Sequence, residues 1–531
     1  MNRADGIARL ESETFDVLVI GGGATGLGAA VDAAARGYRT ALIEAEDFAK
    51  ATSSRSTKLV HGGVRYLQQG NVGLVREALR ERTILHRNAP HLVRELRFVV
   101  PAYRWFDLAF YGAGLTAYDL LAGRSGFARS RIVGARRARA LVPVLRGDGL
   151  RGAIVYSDGQ FDDARLAVTL ARTAVDRGAA LANYVRATGF VYDARRVAGV
   201  EAVDGETDRA LTIRARAVIN ATGIFVDALR SLDAPGARPL VTHSRGSHVV
   251  VRADVLGAAA LLVPETADGR VLFALPWHDR VVIGTTDVAA PRAELDPVPT
   301  QAEIAYLLAT VNRYLAAPLA QSDVLSAFAG LRPLVDRKAT SSAKLSREHL
   351  VDVSASGIVT IAGGKWTTYR KMAEDVVGAA AARAGLPRRP SPTAAMPLHG
   401  AGAGSHAETT AQDDALRAYG SDADEVIGLA GHDPGLRARL HARLPYTRAE
   451  VVHAARAEMA RTVDDVLARR TRALFLDAQA ARESAPCVAA LLARELNRDG
   501  AWQSAQVRSF GALADRARAG PAGEGRTGTA P

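Results

Sequence analysis

The chain carries a single cysteine, Cys487, among its 531 residues. One thiol excludes an intrachain disulfide and a cysteine-based metal cluster, and it fits a reducing compartment. A small buried hydrophobe is the ordinary use of such a residue. Aromatic residues are scarce, at 6%. The interleaving of aromatic and basic residues that marks RNA-binding sheets is missing, and no DNA-binding motif is visible. No basic-then-apolar leader heads the chain. No uncharged apolar run reaches the roughly 18 residues of a spanning helix. The apolar stretch 15–35 is interrupted by Asp32 and a glycine cluster. The expected location is therefore the cytoplasm, or the cytosolic face of a membrane. Acidic residues are also short: 56 against 68 basic ones, a net charge of +12. That balance favours anionic partners such as a phosphorylated metabolite, a membrane surface or nucleic acid.

What is present is organised around residues 15–44, FDVLVIGGGATGLGAAVDAAARGYRTALIE. Asp16 to Ile20 is a short apolar run of the kind buried in parallel sheets. Gly21, Gly23 and Gly26 follow on the G-x-G-x-x-G spacing. They serve the tight turn, the approach of a pyrophosphate to the backbone, and close packing of helix on strand. Ala24, Thr25 and the alanine-rich stretch to Arg36 form a helix whose N-terminal N–H groups, aimed at the turn, suit an anion. Residues 39–43 make a second strand, and Glu44 stands where a carboxylate takes ribose hydroxyls. Strand, turn, helix, strand and acid in register predict a dinucleotide site.

Length predicts several domains. Residues 1–13 read as a frayed leader. Residues 45–67 are polar, hydroxyl-rich and punctuated by glycine, a long loop of the functional kind. Thr52, Ser53, Ser54, Ser56 and Thr57 offer hydroxyls to phosphate and ribose oxygens, and Lys58, His61, Arg65 and Tyr66 follow closely. Residues 72–89 read as a helix. Residues 104–121 are unusually aromatic and precede Arg124, Arg129, Arg131, Arg136, Arg137 and Arg139. Such a pairing suits a membrane interface, or equally a core helix followed by a solvated basic loop. A strand at 217–220 runs into Ala221-Thr222-Gly223, which resembles the second dinucleotide contact of flavoproteins with the two-dinucleotide-binding domain. Residues 240–330 alternate strand-like segments in the manner of an antiparallel cap. A further strand at 357–362 leads to Gly363-Gly364-Lys365-Trp366-Thr367 and a helix, again offering backbone N–H groups, here to a flavin pyrimidine edge. The fold class is α/β: an FAD domain of the two-dinucleotide-binding type with a parallel sheet, an antiparallel-sheet cap and a C-terminal all-helical domain. The corresponding division is 14–235 with 331–385 for the FAD-binding domain, 236–330 for the substrate cap, 386–407 for a linker rich in proline and glycine, 408–518 for the helical domain and 519–531 for a low-complexity, disordered tail.

Several blocks carry a family resemblance. Residues 51–67, ATSSRSTKLVHGGVRYL, and 363–370, GGKWTTYR, resemble the two diagnostic blocks of FAD-dependent glycerol-3-phosphate dehydrogenases. Arg245-Gly-Ser-His248, Gly284-Thr-Thr-Asp287 and Gly330-Leu-Arg-Pro-Leu334 resemble further blocks in the expected order. The resemblance covers about residues 14–480. It implies oxidation of sn-glycerol 3-phosphate to dihydroxyacetone phosphate by hydride transfer from C2 to FAD, with electrons passed to a membrane quinone, ubiquinone or menaquinone. It also implies peripheral attachment to the inner face of the cell membrane, allows a homodimer, and involves neither nucleic acid nor a metal. His248 is the expected base, with His61 as its rival. Arg332 is expected near the reacting oxygen, and Arg65, Tyr66 and Lys365 at the substrate phosphate. The expected cofactor contacts are Gly21, Gly23, Ala24, Thr25, Gly26, Glu44, Thr52, Ser53, Ser54, Ser56, Ala221, Thr222, Gly223, Gly363, Gly364, Lys365 and Thr367. Arg245 and Trp366 depart from the family pattern, where lysine and a smaller apolar residue are common. The competing readings are a glycerol-3-phosphate oxidase that uses oxygen, a nucleic-acid-binding flavoprotein and an NAD-dependent dehydrogenase.

Overall fold

In the computed structural model the described residues are 1–63, 71–123, 127–264, 266, 271–335, 349–402 and 415–518. Arg65, Tyr66, Arg124 and the tail 519–531 lie outside them. Two sheets organise the chain. The first has eight strands, with a path that runs His349–Val353, Val359–Gly363, Arg209–Asn220, Thr14–Ile20, Thr40–Ile43, Ala180–Ala182. Its centre is parallel: Ile20 is in register with both Ile43 and Asn220. Thr14–Ile20 is buried along most of its length, as its run of Val, Leu and Ile requires of a strand covered on both faces. The helices Ala24–Ala35 and Tyr369–Arg383 pack together on one face. Small side chains allow the approach: a Cβ on Gly28 would stand 2.8 Å from Tyr369 Cδ2.

The second sheet has ten strands and is largely antiparallel, as expected for the cap. It draws on more of the chain than 236–330. Val93–Ala102 and Gly152–Phe161 pair antiparallel over their full lengths and join the cap strands through a parallel contact with Ala260–Val263. Both segments fall within the stretch 14–235 that the sequence division assigns to the FAD-binding domain. Val241–Arg252 pairs with Ser326–Val335 on one side and Arg280–Gly284 on the other.

The N-terminus differs from expectation. Residues Arg3–Ser12 form a helix, capped by the Asn2 side chain, with Ile7 and Leu10 buried. The short Ile7/Leu10 stripe at helical spacing and the Asn cap supply what a frayed leader lacks. The C-terminal region is helical, as expected, and includes Arg448–Ala457, Ala478–Leu496 and Gly500–Ala517. Thr462 and Asp465 exchange side-chain-to-backbone hydrogen bonds at the start of a π-helical turn, Asp465–Arg470, in the manner of a capping pair. Among the described residues no helix is long and apolar enough to cross a membrane.

Candidate active site

The first sheet ends in a cradle shaped for a dinucleotide. Gly21 has φ +114°, and a Cβ there would stand 2.6 Å from the carbonyl oxygen of Ala221. A Cβ on Gly26 would stand 1.9 Å from the Gly21 carbonyl oxygen. No side chain fits either position, so the helix N-terminus closes tightly over the strand end. Glu44 follows the second strand. Its carboxylate accepts the backbone N–H of Gly22 at 2.5 Å and that of Glu46 at 2.9 Å. Burial pushes the carboxyl up to about 7, against the pull of those two N–H groups. Asn220 orders the neighbouring block, its side-chain oxygen accepting the Thr222 hydroxyl at 2.7 Å.

One loop, residues 52–61, touches nearly every other candidate block. Ser53 Oγ accepts the N–H of Ala24 at 2.9 Å, at the head of the glycine-turn helix. Thr52 donates its hydroxyl to the Leu331 carbonyl at 2.7 Å, next to Arg332. Thr57 Oγ1 and His248 Nε2 share a hydrogen bond of 2.9 Å. Trp366 Nε1 donates to the Ser53 carbonyl at 2.9 Å, and the His61 N–H donates to Thr367 Oγ1 at 3.3 Å. Segments separated by as many as 313 positions therefore meet on one short stretch.

His248 is buried, and its ring stacks on Phe328 with centroids 4.7 Å apart. Nδ1 is buried without a hydrogen-bond partner. Burial, then the cations Lys58 and Arg332, hold this imidazole well below its ordinary value, so it is neutral around pH 7. The Arg332 guanidinium donates to the Thr286 carbonyl and to Thr285 Oγ1, at 3.1–3.2 Å. His61 is likewise lowered by burial and by Lys365 and Arg82, with Asp158 opposing. Below His248, Ser247 Oγ and Thr286 Oγ1 donate to Glu303, which also pairs with Arg245 at 2.9 Å. The Arg245 charge is thus fixed by a carboxylate of the cap.

The comparisons agree with this geometry. Residues 16–370 match the FAD dependent oxidoreductase family, and 359–504 match the C-terminal domain of alpha-glycerophosphate oxidase. The mitochondrial glycerol-3-phosphate dehydrogenase of Homo sapiens is 41% identical over 527 residues, covering 93% of this chain and 72% of its own. The glycerol-3-phosphate dehydrogenase of Bacillus halodurans, solved in complex with FAD, superposes with TM-score 0.77 at 30% identity over 97% of both chains. The chain belongs to the FAD-dependent glycerol-3-phosphate dehydrogenase family. The L-alpha-glycerophosphate oxidase of Mycoplasma pneumoniae shares the fold, with TM-score 0.54 at 16% identity over 72% of this chain and 97% of its own.

Family membership makes the chain an FAD-dependent oxidoreductase, and the cradle fits that cofactor. Gly21, Gly23, Ala24, Thr25, Gly26, Glu44, Ser53, Ala221, Thr222 and Gly223 surround the strand end. Gly363 and Gly364, with φ +78° and +80°, turn the chain into Lys365 and the buried Thr367. Ser54 and Ser56 are engaged differently. Ser54 Oγ donates to the Ala51 carbonyl at 3.5 Å, and both the N–H and hydroxyl of Ser56 donate to Asp163. Among the described residues no group of side chains suits a metal ion.

Sequence reasoning missed the layer behind this dehydrogenase site. Lys58, Asp163 and Arg472 are fully buried together beneath the loop. Lys58 Nζ donates to both oxygens of Asp163, at 2.7 and 2.9 Å, and lies 5.1–5.6 Å from the ring centroids of Phe328, Trp277 and Phe475. Burial pushes Lys58 down to about 7 although Asp163 pulls the other way. Asp162-Asp163 reads in sequence only as an acidic helix start, and nothing in its spacing shows that one of the pair is buried under a lysine.

Proposed function

We propose that this chain oxidises sn-glycerol 3-phosphate at C2 to dihydroxyacetone phosphate and passes the electrons to a membrane quinone, ubiquinone or menaquinone. The observation that carries the reading is the convergence of His248, the Leu331–Arg332 segment and the 365–367 turn on the loop 52–61, which itself carries His61, beside the dinucleotide cradle. FAD, when bound, supplies the two-electron acceptor for the hydride leaving C2. His248 takes the C2 hydroxyl proton. One of its nitrogens is anchored by Thr57 and the other has no partner, and the ring is neutral when substrate arrives. Arg332 faces the oxygen that gains negative charge and stabilises it. Lys365, with Arg65 and Tyr66, grips the substrate phosphate, and that dianion offsets the cations that depress the imidazole. His61, lowered by burial and by Lys365, is the rival base.

The surface supports the choice of a membrane quinone as acceptor. The helix Trp105–Ala122 leaves Trp105 and Phe106 each 70% exposed, with Phe110 at 51% and Leu120 at 78%. Arg129, Arg131, Arg136, Arg137 and Arg139, all exposed, follow it. Apolar and aromatic side chains beside a cluster of guanidiniums suit the headgroup region of an anionic bilayer. That pattern supports attachment to the cytoplasmic face of the cell membrane, where quinone is reached. The deciding experiment is anaerobic mixing of the flavin-loaded protein with glycerol 3-phosphate, followed by quinone in liposomes or by oxygen. Bleaching of the flavin and recolouring by quinone is the expected result. A flavin that keeps its colour overturns the substrate assignment, and recolouring by oxygen alone, with peroxide formed, assigns an oxidase.

A further inference from the structure

The helical C-terminal domain reaches the back of the site through two side chains, by two routes. The first is a chain of hydrogen bonds. Arg472 Nη2 donates to the Ser54 carbonyl at 2.7 Å and to Asp163 Oδ1 at 3.1 Å, while Nη1 donates to the Ala468 carbonyl at 2.7 Å. Asp163 in turn holds the Ser56 N–H and hydroxyl and the Lys58 ammonium. Ser56 and Lys58 flank Thr57, whose hydroxyl bonds His248. The second route is a stack. The Arg472 guanidinium lies 4.7 Å from the Phe475 ring centroid, Phe475 meets Phe328 edge-on at 4.9 Å, and Phe328 lies parallel to the His248 ring at 4.7 Å.

Both routes run from one helical segment to the same imidazole, and every member is buried except Ser56 and Thr57, which are half-buried. Two carboxylates, Asp162 and Asp163, face two cations, Lys58 and Arg472, with Arg472 Nε 3.6 Å from Asp162. A buried, closely hydrogen-bonded cluster of this kind has few alternative arrangements, so it transmits position rather than absorbing displacement. The backbone of Arg472 itself sits at φ +81°, a conformation that a non-glycine residue holds only where its surroundings determine it.

We propose that Arg472, assisted by Phe475, is a positioning residue for the oxidation: through Asp163 and Thr57 it fixes the imidazole of His248, which makes the C-terminal domain a working part of the reaction centre. This rests on the reading of His248 as the base. The guanidinium is needed because it satisfies three acceptors at once, two carbonyls and a carboxylate, in a fixed fork.

The test uses the full-length, flavin-loaded protein and anaerobic stopped-flow bleaching by glycerol 3-phosphate. Arg472→Met is expected to keep its flavin and to bind substrate within threefold of the parent, while the limiting reduction rate falls at least tenfold. Arg472→Lys, which keeps charge but not the fork, should recover part of that loss. In a His248→Ala background, adding Arg472→Met should cost less than threefold. The proposal is overturned if flavin-replete Arg472→Met reduces within threefold of the parent, if the loss lies wholly in substrate affinity, or if the loss persists undiminished without His248. Should Arg472→Met fail to hold flavin, Arg472→Lys decides. A flavin-replete protein with a limiting rate reduced more than threefold supports the role, and parental rates or a second loss of flavin overturn it. If His248→Ala alone reduces normally, the assigned base fails and takes this proposal with it. A crippled His248→Ala beside an unaffected Arg472→Met sinks this proposal alone.

Discussion

Glu44 accepts the backbone N–H of Gly22, so the acid at the end of the second strand and the glycine turn at the end of the first are tied to one another before any ligand arrives. The carboxyl is pushed up to about 7 by burial. With Glu44 at the ribose, as the spacing of the motif proposes, hydroxyls donating to it would favour the ionised form, and FAD binding would release a proton from this group. Affinity of the apoprotein for FAD should therefore rise as pH climbs from about 5 to about 7 and level off above. In Glu44→Gln it should be weaker and lose that slope. Quenching of FAD fluorescence on titration with apoprotein measures both, and a parent with no slope in this window removes Glu44 from the ribose.

Replacing the base should separate chemistry from binding. His248→Ala is expected to keep its flavin and to lower the limiting rate of flavin reduction by about 10²–10⁴, the usual contribution of a positioned general base. The parent imidazole is held neutral by burial, Lys58 and Arg332, so its own titration imposes no fall in rate between pH 6.5 and 9. The variant has no internal acceptor, and its residual rate should increase with pH as hydroxide takes over. Parallel pH profiles for the two proteins would exclude His248 from the proton transfer.

The sequence disclosed those parts of the fold and site whose signals are local. Gly21, Gly23, Gly26 and Glu44 declare the cradle because turn, pyrophosphate approach and ribose contact each impose a residue type at a fixed spacing. Val93–Ala102 and Gly152–Phe161 stayed hidden, because their contribution to the second sheet depends on partners far away in the chain, and Val93–Ala102 carries charges at Arg94, Glu95 and Arg97 that blur its alternation. Lys58, Asp163 and Arg472 were unreadable for a related reason. A buried ion cluster looks in sequence like three surface charges, and only the fold brings together residues 105 and 309 positions apart.

The clamp between the cofactor loop and the C-terminal domain should dominate acid stability. Asp47 binds Arg470 through both oxygens, at 2.6 and 2.8 Å, and Arg469 at 2.6 Å, all fully buried. Burial alone would raise this carboxyl, but the two guanidiniums more than offset it and hold it below the usual carboxylate range. The sign follows: its stabilisation is present above pH 4 and is lost as pH falls further. Asp47→Asn leaves two buried guanidiniums short of a counter-charge, and about 3–5 kcal/mol of stability should disappear at neutral pH. Denaturant unfolding at pH 7 and pH 3.5 tests this. The gap between parent and variant should narrow on acidification, and a constant gap would show that the carboxylate charge is irrelevant.

The exposed helix Trp105–Ala122 gives the membrane reading its own measurement. Phe106 and Phe110 stack on its surface with centroids 5.9 Å apart, and a Cβ on Gly112 would stand 3.0 Å from Ile132 Cδ1, so the helix and the strand Arg131–Gly134 present one continuous apolar ridge. Arg136 and Arg137 stand on the next helix, exposed. Each basic residue near an anionic surface contributes about 1 kcal/mol. Removing those two charges should therefore weaken binding to phosphatidylserine vesicles roughly 30-fold at low salt and far less at high salt. Phe106→Ser with Phe110→Ser should weaken it at both, since apolar insertion is not screened. Neither pair touches the flavin site, so bleaching by soluble substrate should match the parent while recolouring by quinone in vesicles slows with the loss of binding. Vesicle sedimentation that is equal for parent and both variants would move the membrane contact to another face of the molecule.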